Sequence, residues 1–254
     1  MIKGLDKFRE HFFGFADHYV LIGDAASNLV LDEAGVEFRV TKDLDIVLCV
    51  EALNIEFANA FWGFVKAAGY QNQQRSMDKK IFYRFNEPKD KSYPFMLELF
   101  SRKPDMFVLG NDSDLTPIPI TDYVHSLSAI LLDDDYYQFI HQHKIEIDNV
   151  AVITQDCLIP LKAKAWLDLS ERENAGEIVD SKNIKKHKND IFRLFQIVSP
   201  EVKIALPETI SRDMKLYLNA ISEESDLSLK PFGLAGLGVL DVIGTLRKVY
   251  GLTE

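Results

Sequence analysis

Tyr19-Val20-Leu21-Ile22 is a short apolar run of strand formers that stops at Gly23, and a second such run, Leu44 to Val50, follows after a stretch of helical pattern. Buried strands separated by amphipathic helices confine a chain to a layered α/β arrangement, because each strand needs apolar cover on its faces. The flanking segments fit. Residues 4–17 carry Leu5, Phe8, Phe12 and Phe15 at helical spacing. Residues 24–34 read as a helix stopped by Gly35, and residues 54–68 as a helix with Phe57, Phe61, Phe64 and Val65 along one side, ended by Gly69. Lys80 to Phe85 alternates as a strand, and Pro94 to Phe100 reads as its partner across a turn at Pro88 to Tyr93.

Farther along, Ile118–Ile120, Ala129–Leu132 and Val150–Ile153 read as short strands, and Asp133-Asp134-Asp135 opens a short helix, where acidic side chains suit the positive end of the dipole. From residue 156 the pattern turns helical. Leu158, Leu161, Ala165 and Leu169 repeat at helical spacing, which requires Pro160 in the first turn. Further helices are expected at 181–198, with Ile184, Ile191, Leu194, Phe195 and Val198 as core face, and at 208–222 and 239–250. The expected organisation is an α/β (α+β) mixed-sheet domain with flanking helices over 1–155, followed by a helical part over 156–254.

At 254 residues and 47% apolar composition the chain can bury a large core, and its 17 phenylalanines predict aromatic packing there. A net charge of −10 argues against a general, salt-driven grip on nucleic acid and against attraction to membrane surfaces. Cys49 and Cys157 lie in apolar stretches without metal-ligand spacing and read as buried thiols of a reducing compartment. No apolar run reaches the ~18 residues of a membrane span. The start, M-I-K-G-L-D-K-F-R-E, runs into an amphipathic pattern rather than a leader. The expected location is cytoplasmic.

The chemistry concentrates at R-V-T-K-D-L-D-I-V-L. Asp43 and Asp45 are two apart, so on a strand they face the same side. Two such charges about 4 Å apart repel by roughly 4 kcal/mol at a protein-like dielectric, a cost that a divalent cation removes. Hard oxygen ligands suit Mg²⁺ or Mn²⁺, and paired carboxylates are where phosphoryl or nucleotidyl transfer sets its metals. Glu98, the lone acid within P-F-M-L-E-L-F, shares a face with Met96 and Phe100; a charge there is costly unless paired or metal-bound. The alternative for Asp43 and Asp45 is an ordinary solvated turn.

Strand, glycine turn, helix, and then Thr41-Lys42-Asp43-Leu44-Asp45 on the next strand resembles the polymerase-β-type nucleotidyltransferase superfamily. Within it, Ile22-Gly23-Asp24 and Arg39-Val40-Thr41-Lys42-Asp43-Leu44-Asp45 look most like the AbiEii-like group, which includes toxins of type IV toxin–antitoxin systems. L-I-P-L-K-A-K-A-W-L-D-L and H-K-N-D-I-F-R-L look like the helical half of such proteins. The resemblance implies that Asp43 and Asp45 hold Mg²⁺ or Mn²⁺ and that Glu98 completes the set and draws the proton from an attacking hydroxyl. The reaction would move a nucleoside monophosphate from a nucleoside triphosphate to an acceptor hydroxyl on RNA, a tRNA end or a protein, releasing pyrophosphate. A partner antitoxin would belong to such a system. Where the superfamily carries Gly-Ser or Gly-Gly, this chain has Gly23-Asp24, and an aspartate there repels a triphosphate unless a cation offsets it. Three alternatives follow: a different donor, a fourth metal ligand, or a degenerate relative that binds nucleotide or a protein partner without catalysis.

Arg39 is expected to neutralise the aspartates or contact phosphate, and Ser27 to offer a hydroxyl or to cap. Lys162 and Lys164 are two apart and point in different directions on a helix, so at most one meets phosphate; Lys162, three before Ala165 and nearer the apolar face, is favoured. Lys188 or Asp190, in a basic run at 185–190, would face the cleft or an acidic acceptor unless the run is simply a solvated face. His141 and His143 lack further zinc ligands at sensible spacing. The glycines of F-G-L-A-G-L-G-V-L do not fit a dinucleotide fingerprint and read as close helix packing.

Overall fold

The computed structural model describes residues 2–75, 81–101, 116–117, 133–224 and 226–252. These residues divide into two compact units: those within 1–120 and 141–154 form the first, and those within 121–140 and 155–254 the second. The readings at Ile118–Ile120 and Ala129–Leu132 lie outside the described residues.

In the first unit, helix α1 (Leu5–His11) leads through a 3-10 turn into strand β1 (Tyr19–Ile22), followed by α2 (Gly23–Glu33), β2 (Asp43–Leu48) and α3 (Ile55–Ala68). Then come β3 (Tyr70–Arg75), β4 (Ile81–Pro88), β5 (Met96–Ser101), the two-residue β6 (Thr116–Pro117), and the hairpin β7 (Lys144–Ile147) and β8 (Val150–Ile153). They form one mixed sheet in the order β6-β3-β4-β5-β2-β1-β8-β7. β2 is antiparallel to β1 and parallel to β5, and β1 is parallel to β8.

Each element has a local cause. α1 is shorter than its apolar spacing suggested: Gly14, at φ 83°, turns the chain out of the helix, although Phe12 still packs inward. The Asn54 carboxamide caps α3 by accepting from the Phe57 N–H, and Gly69, at φ 64°, closes it with bonds to the Lys66 and Val65 carbonyls. β7 escaped the sequence reading. It is carried by a turn in which Asp148 and Asn149 both adopt positive φ, the geometry of a two-residue type I′ hairpin. β3 escaped too, since Q-N-Q-Q-R holds no apolar alternation.

One sheet face, bearing Tyr19, Tyr83 and Phe85, meets an aromatic layer from α1 and α3. Ring centroids lie 5.2 Å apart for Phe8 and Tyr19, 5.3 Å for Phe12 and Phe64, and 5.7 Å for Phe61 and Phe85. Phe8, Phe12, Phe57, Phe61, Phe64 and Phe85 thus all serve this layer.

The second unit is helical: α4 (Asp134–Gln142) begins in it, followed by α5 (Gln155–Asn174), α6 (Ser181–Phe195), α7 (Glu208–Ser222) and α8 (Val239–Val249). Asp133 caps α4, its Oδ1 accepting from the Asp135 and Tyr136 N–H groups. Pro160 lies in the second turn of α5 rather than the first. Proline has no N–H to return to the carbonyl four residues back, and that Asp156 carbonyl instead accepts the Tyr250 hydroxyl at 3.0 Å. On α6, Ile191, Leu194 and Phe195 are buried and Ile184 is half-buried; the helix ends at Phe195, short of the half-buried Val198. The glycine-rich stretch serves turns rather than helix packing: Gly233 and Gly236 take positive φ, Gly238 precedes α8, and a Cβ on Gly244 would meet no atom within 4 Å.

Among the described residues no helix is long and apolar enough to cross a membrane.

Candidate functional site

β1 ends at Ile22, which pairs with Asp45 on β2. Between β1 and α2 the backbone passes through Gly23 at φ 64°, a conformation that costs any residue with a Cβ about 1–2 kcal/mol. The turn delivers Asp24 into the first turn of α2.

On the other side of β2, Asp43 pairs with Met96 and Asp45 with Glu98. Register partners on adjacent strands point to the same face, and β2 and β5 run about 4.8 Å apart. Asp43, Asp45 and Glu98 therefore share one face, opposite the aromatic layer. Asp45 is 6% exposed and Glu98 only 1%, so neither is a surface acid.

Arg84 completes the neighbourhood. It is the cross-strand partner of Glu98 on β4. Its Nε and Nη2 lie 2.7 Å and 2.6 Å from Glu98 Oε1. Glu98 Oε2 is buried with no hydrogen-bond partner among the described residues. The sequence reading missed Arg84, although a signal existed. With the two strands paired across Pro88 to Tyr93, the arginine breaking I-F-Y-R-F falls opposite the acid breaking M-L-E-L-F.

Arg39 takes the partner that its position left undecided. Its Nη2 lies 2.6 Å from Asp24 Oδ1, and its carbonyl accepts from the Asn28 carboxamide. The aspartate in place of Gly-Ser is thus offset by a nearby cation. Ser27 is fully buried and its hydroxyl donates to the Gly23 carbonyl at 2.8 Å, a bond internal to the turn.

Lys162 lies in the second unit, 4% exposed, with its Nζ 3.0 Å from Asp190 Oδ2. Arg193 adds a second cation to Asp190 at 3.2 Å. Lys164 turns to α7, where it meets Asp213 at 3.1 Å; the Tyr136 hydroxyl donates to the same carboxylate at 3.0 Å. The two lysines point in different directions, as helix geometry requires. The 185–190 run is not a uniform solvated face: His187 and Asp190 are buried, and Lys188 pairs with Glu224.

The thiols are free and buried, and burial pushes Cys49 up to about 11 and Cys157 well above its ordinary range. Cys49 Sγ lies 3.5 Å from His141 Nδ1. Among the described residues no three His, Cys, Asp or Glu side chains stand as a group that could hold a metal ion, so Asp43, Asp45 and Glu98 share a face without converging as a ligand cluster. The donor set at Asp43, Asp45 and Glu98 suits a hard divalent cation, and the buried, unpartnered Glu98 Oε2 is an atom such an ion would satisfy.

No protein-family model matches the chain, and no curated protein matches it by sequence. Among solved structures, it is similar to an antigenic nucleotidyltransferase-like protein from Paracoccidioides brasiliensis. The identity is 15%, over 88% of this chain and 89% of that one, with a TM-score of 0.42, a likeness too loose to decide family or function.

Proposed function

We propose that this chain is a metal-dependent nucleotidyltransferase of the polymerase-β type, in which Asp43, Asp45 and Glu98 hold Mg²⁺ or Mn²⁺. The observation that carries the reading is the gathering of these three carboxylates on one sheet face beside the glycine turn between β1 and α2. Such an ion would neutralise charge on the phosphoryl group being transferred from a nucleoside triphosphate. Glu98 is the residue that would also draw a proton from the acceptor hydroxyl. Arg39 removes the repulsion that Asp24 would exert on a triphosphate, so Gly23-Asp24 is compatible with nucleotide binding. The acceptor class is an RNA, a tRNA end or a protein hydroxyl. The AbiEii-like assignment, a role for Lys162 in phosphate binding and a toxin–antitoxin context rest on the sequence resemblance.

A second reading is a degenerate relative that binds nucleotide or a protein partner without transfer. The Arg84–Glu98 ion pair favours it, since it supplies Glu98 with a counter-charge that needs no metal.

The test is incubation of the protein with Mn²⁺, each of the four labelled nucleoside triphosphates and a pool of tRNA and protein acceptors. Label transfer that disappears in an Asp43→Ala, Asp45→Ala variant supports the enzyme. Mn²⁺ or nucleotide binding by calorimetry with no transfer to any acceptor favours the degenerate relative, and no Mn²⁺ binding at all sinks the metal-dependent enzyme.

A further inference from the structure

We propose that Arg84 is a positioning residue that commits Glu98 Oε1, leaves Oε2 for a divalent cation, and competes with that cation for the carboxylate. The proposal rests on reading Asp43, Asp45 and Glu98 as a cation site. An arginine–carboxylate pair ordinarily closes as a fork, two N–H groups on two oxygens. Here both donors, Nε and Nη2, converge on Oε1, while Oε2 is buried and unpartnered. The Arg84 side chain is 14% exposed and that of Glu98 is 1% exposed, so the attraction between them is weakly screened by solvent.

Two consequences follow. Without metal, Arg84 is the counter-charge of Glu98 in a buried strand, and a buried charge stripped of its partner is strongly destabilising. With metal, the guanidinium is a fixed positive charge a few ångströms from the incoming cation, and like charges at that range oppose each other. Arg84 thus trades metal affinity for stability of the metal-free fold.

The experiment is Mn²⁺ titration of the full chain by calorimetry, with thermal unfolding measured alongside, in the wild type, Arg84→Gln, Glu98→Gln and the double variant. Arg84→Gln is expected to bind Mn²⁺ at least about tenfold more tightly, to melt earlier without metal, and to gain more from Mn²⁺ than the wild type does. In the Glu98→Gln background the Arg84 substitution should tighten Mn²⁺ binding less than it does with Glu98 present, because only the through-space repulsion is left to remove. A general structural role for Arg84 would weaken metal binding rather than tighten it. Should Arg84→Gln not fold, the wild type still decides: the Arg84 Nε–H resonance should move on titration with Mg²⁺, and should not move in Glu98→Gln. Equal or weaker Mn²⁺ binding by a folded Arg84→Gln, or an Nε–H resonance indifferent to Mg²⁺ in a wild type that binds it, overturns the role of Arg84 and leaves the cation site standing. Absence of Mn²⁺ binding in every protein overturns both.

Discussion

Asp45 and Glu98 are register partners on neighbouring parallel strands, both buried, with Arg84 drawn to one oxygen of the glutamate. A site built this way should gain stability from a cation. Free Mn²⁺ at about a hundred times its dissociation constant contributes about 2.7 kcal/mol to the folded state, which for a chain this long raises Tm by several degrees. Asp45→Asn should abolish that rise. Thermal unfolding with and without Mn²⁺ checks it; a rise that survives the substitution would remove Asp45 from the site.

Lys162 and Asp190 form a buried pair, and breaking such a pair costs about 3–5 kcal/mol. Since Arg193 remains beside Asp190, Lys162→Met should fall at the lower end, about 3 kcal/mol. Lys164→Met should cost less, because Lys164 is 29% exposed and Tyr136 still donates to Asp213. Urea unfolding of the two variants gives the comparison. An unchanged midpoint for Lys162→Met would mean that this lysine does not serve the fold.

The Tyr250 hydroxyl answers the carbonyl that Pro160 cannot reach. Tyr250→Phe should leave that carbonyl wanting and cost about 1–3 kcal/mol. In a Pro160→Ala background, where the helix supplies its own N–H, the same substitution should cost markedly less. A double-mutant cycle measures the difference; additive costs would refute the link.

Burial raises the Cys49 thiol from its ordinary 9.0 to about 11 and raises the Tyr136, Tyr217 and Tyr250 hydroxyls beyond their normal range. The folded protein keeps these protons at pH values where the unfolded chain releases them. The Cys49 contribution is complete below about pH 9 and is lost as pH rises through 11, whereas that of the tyrosines is complete below about pH 10 and is lost only at higher pH. Unfolding midpoints should therefore hold between pH 8 and about 9 and fall from there to pH 11, and thiol alkylation of native protein at pH 8 should be slow until denaturant is added. Fast native alkylation of Cys49 would contradict its burial.

Much of this molecule was legible locally. Helix α3 shows its cap, its aromatic stripe and its stop between Asn54 and Gly69, and all three are local physics. Likewise, that Asp43 and Asp45 share a side follows from the two-residue period of a strand. β3 was not legible, because Q-N-Q-Q-R has no apolar alternation and its place is given by backbone pairing with β4 and β6. Arg39 could be flagged as a cation near the acids, but which acid it meets depends on how α2 folds back toward the start of β2.

The sequence by itself determined the kinds of element, the glycine turn at Gly23 and the pairing of two aspartates on one strand edge, since each depends on neighbours a few residues away. Only the tertiary structure decided that Glu98 comes beside Asp45 and that Arg84 claims one of its oxygens. Strand order and register arise from packing and hydrogen bonds between segments distant along the chain, and no local period encodes them.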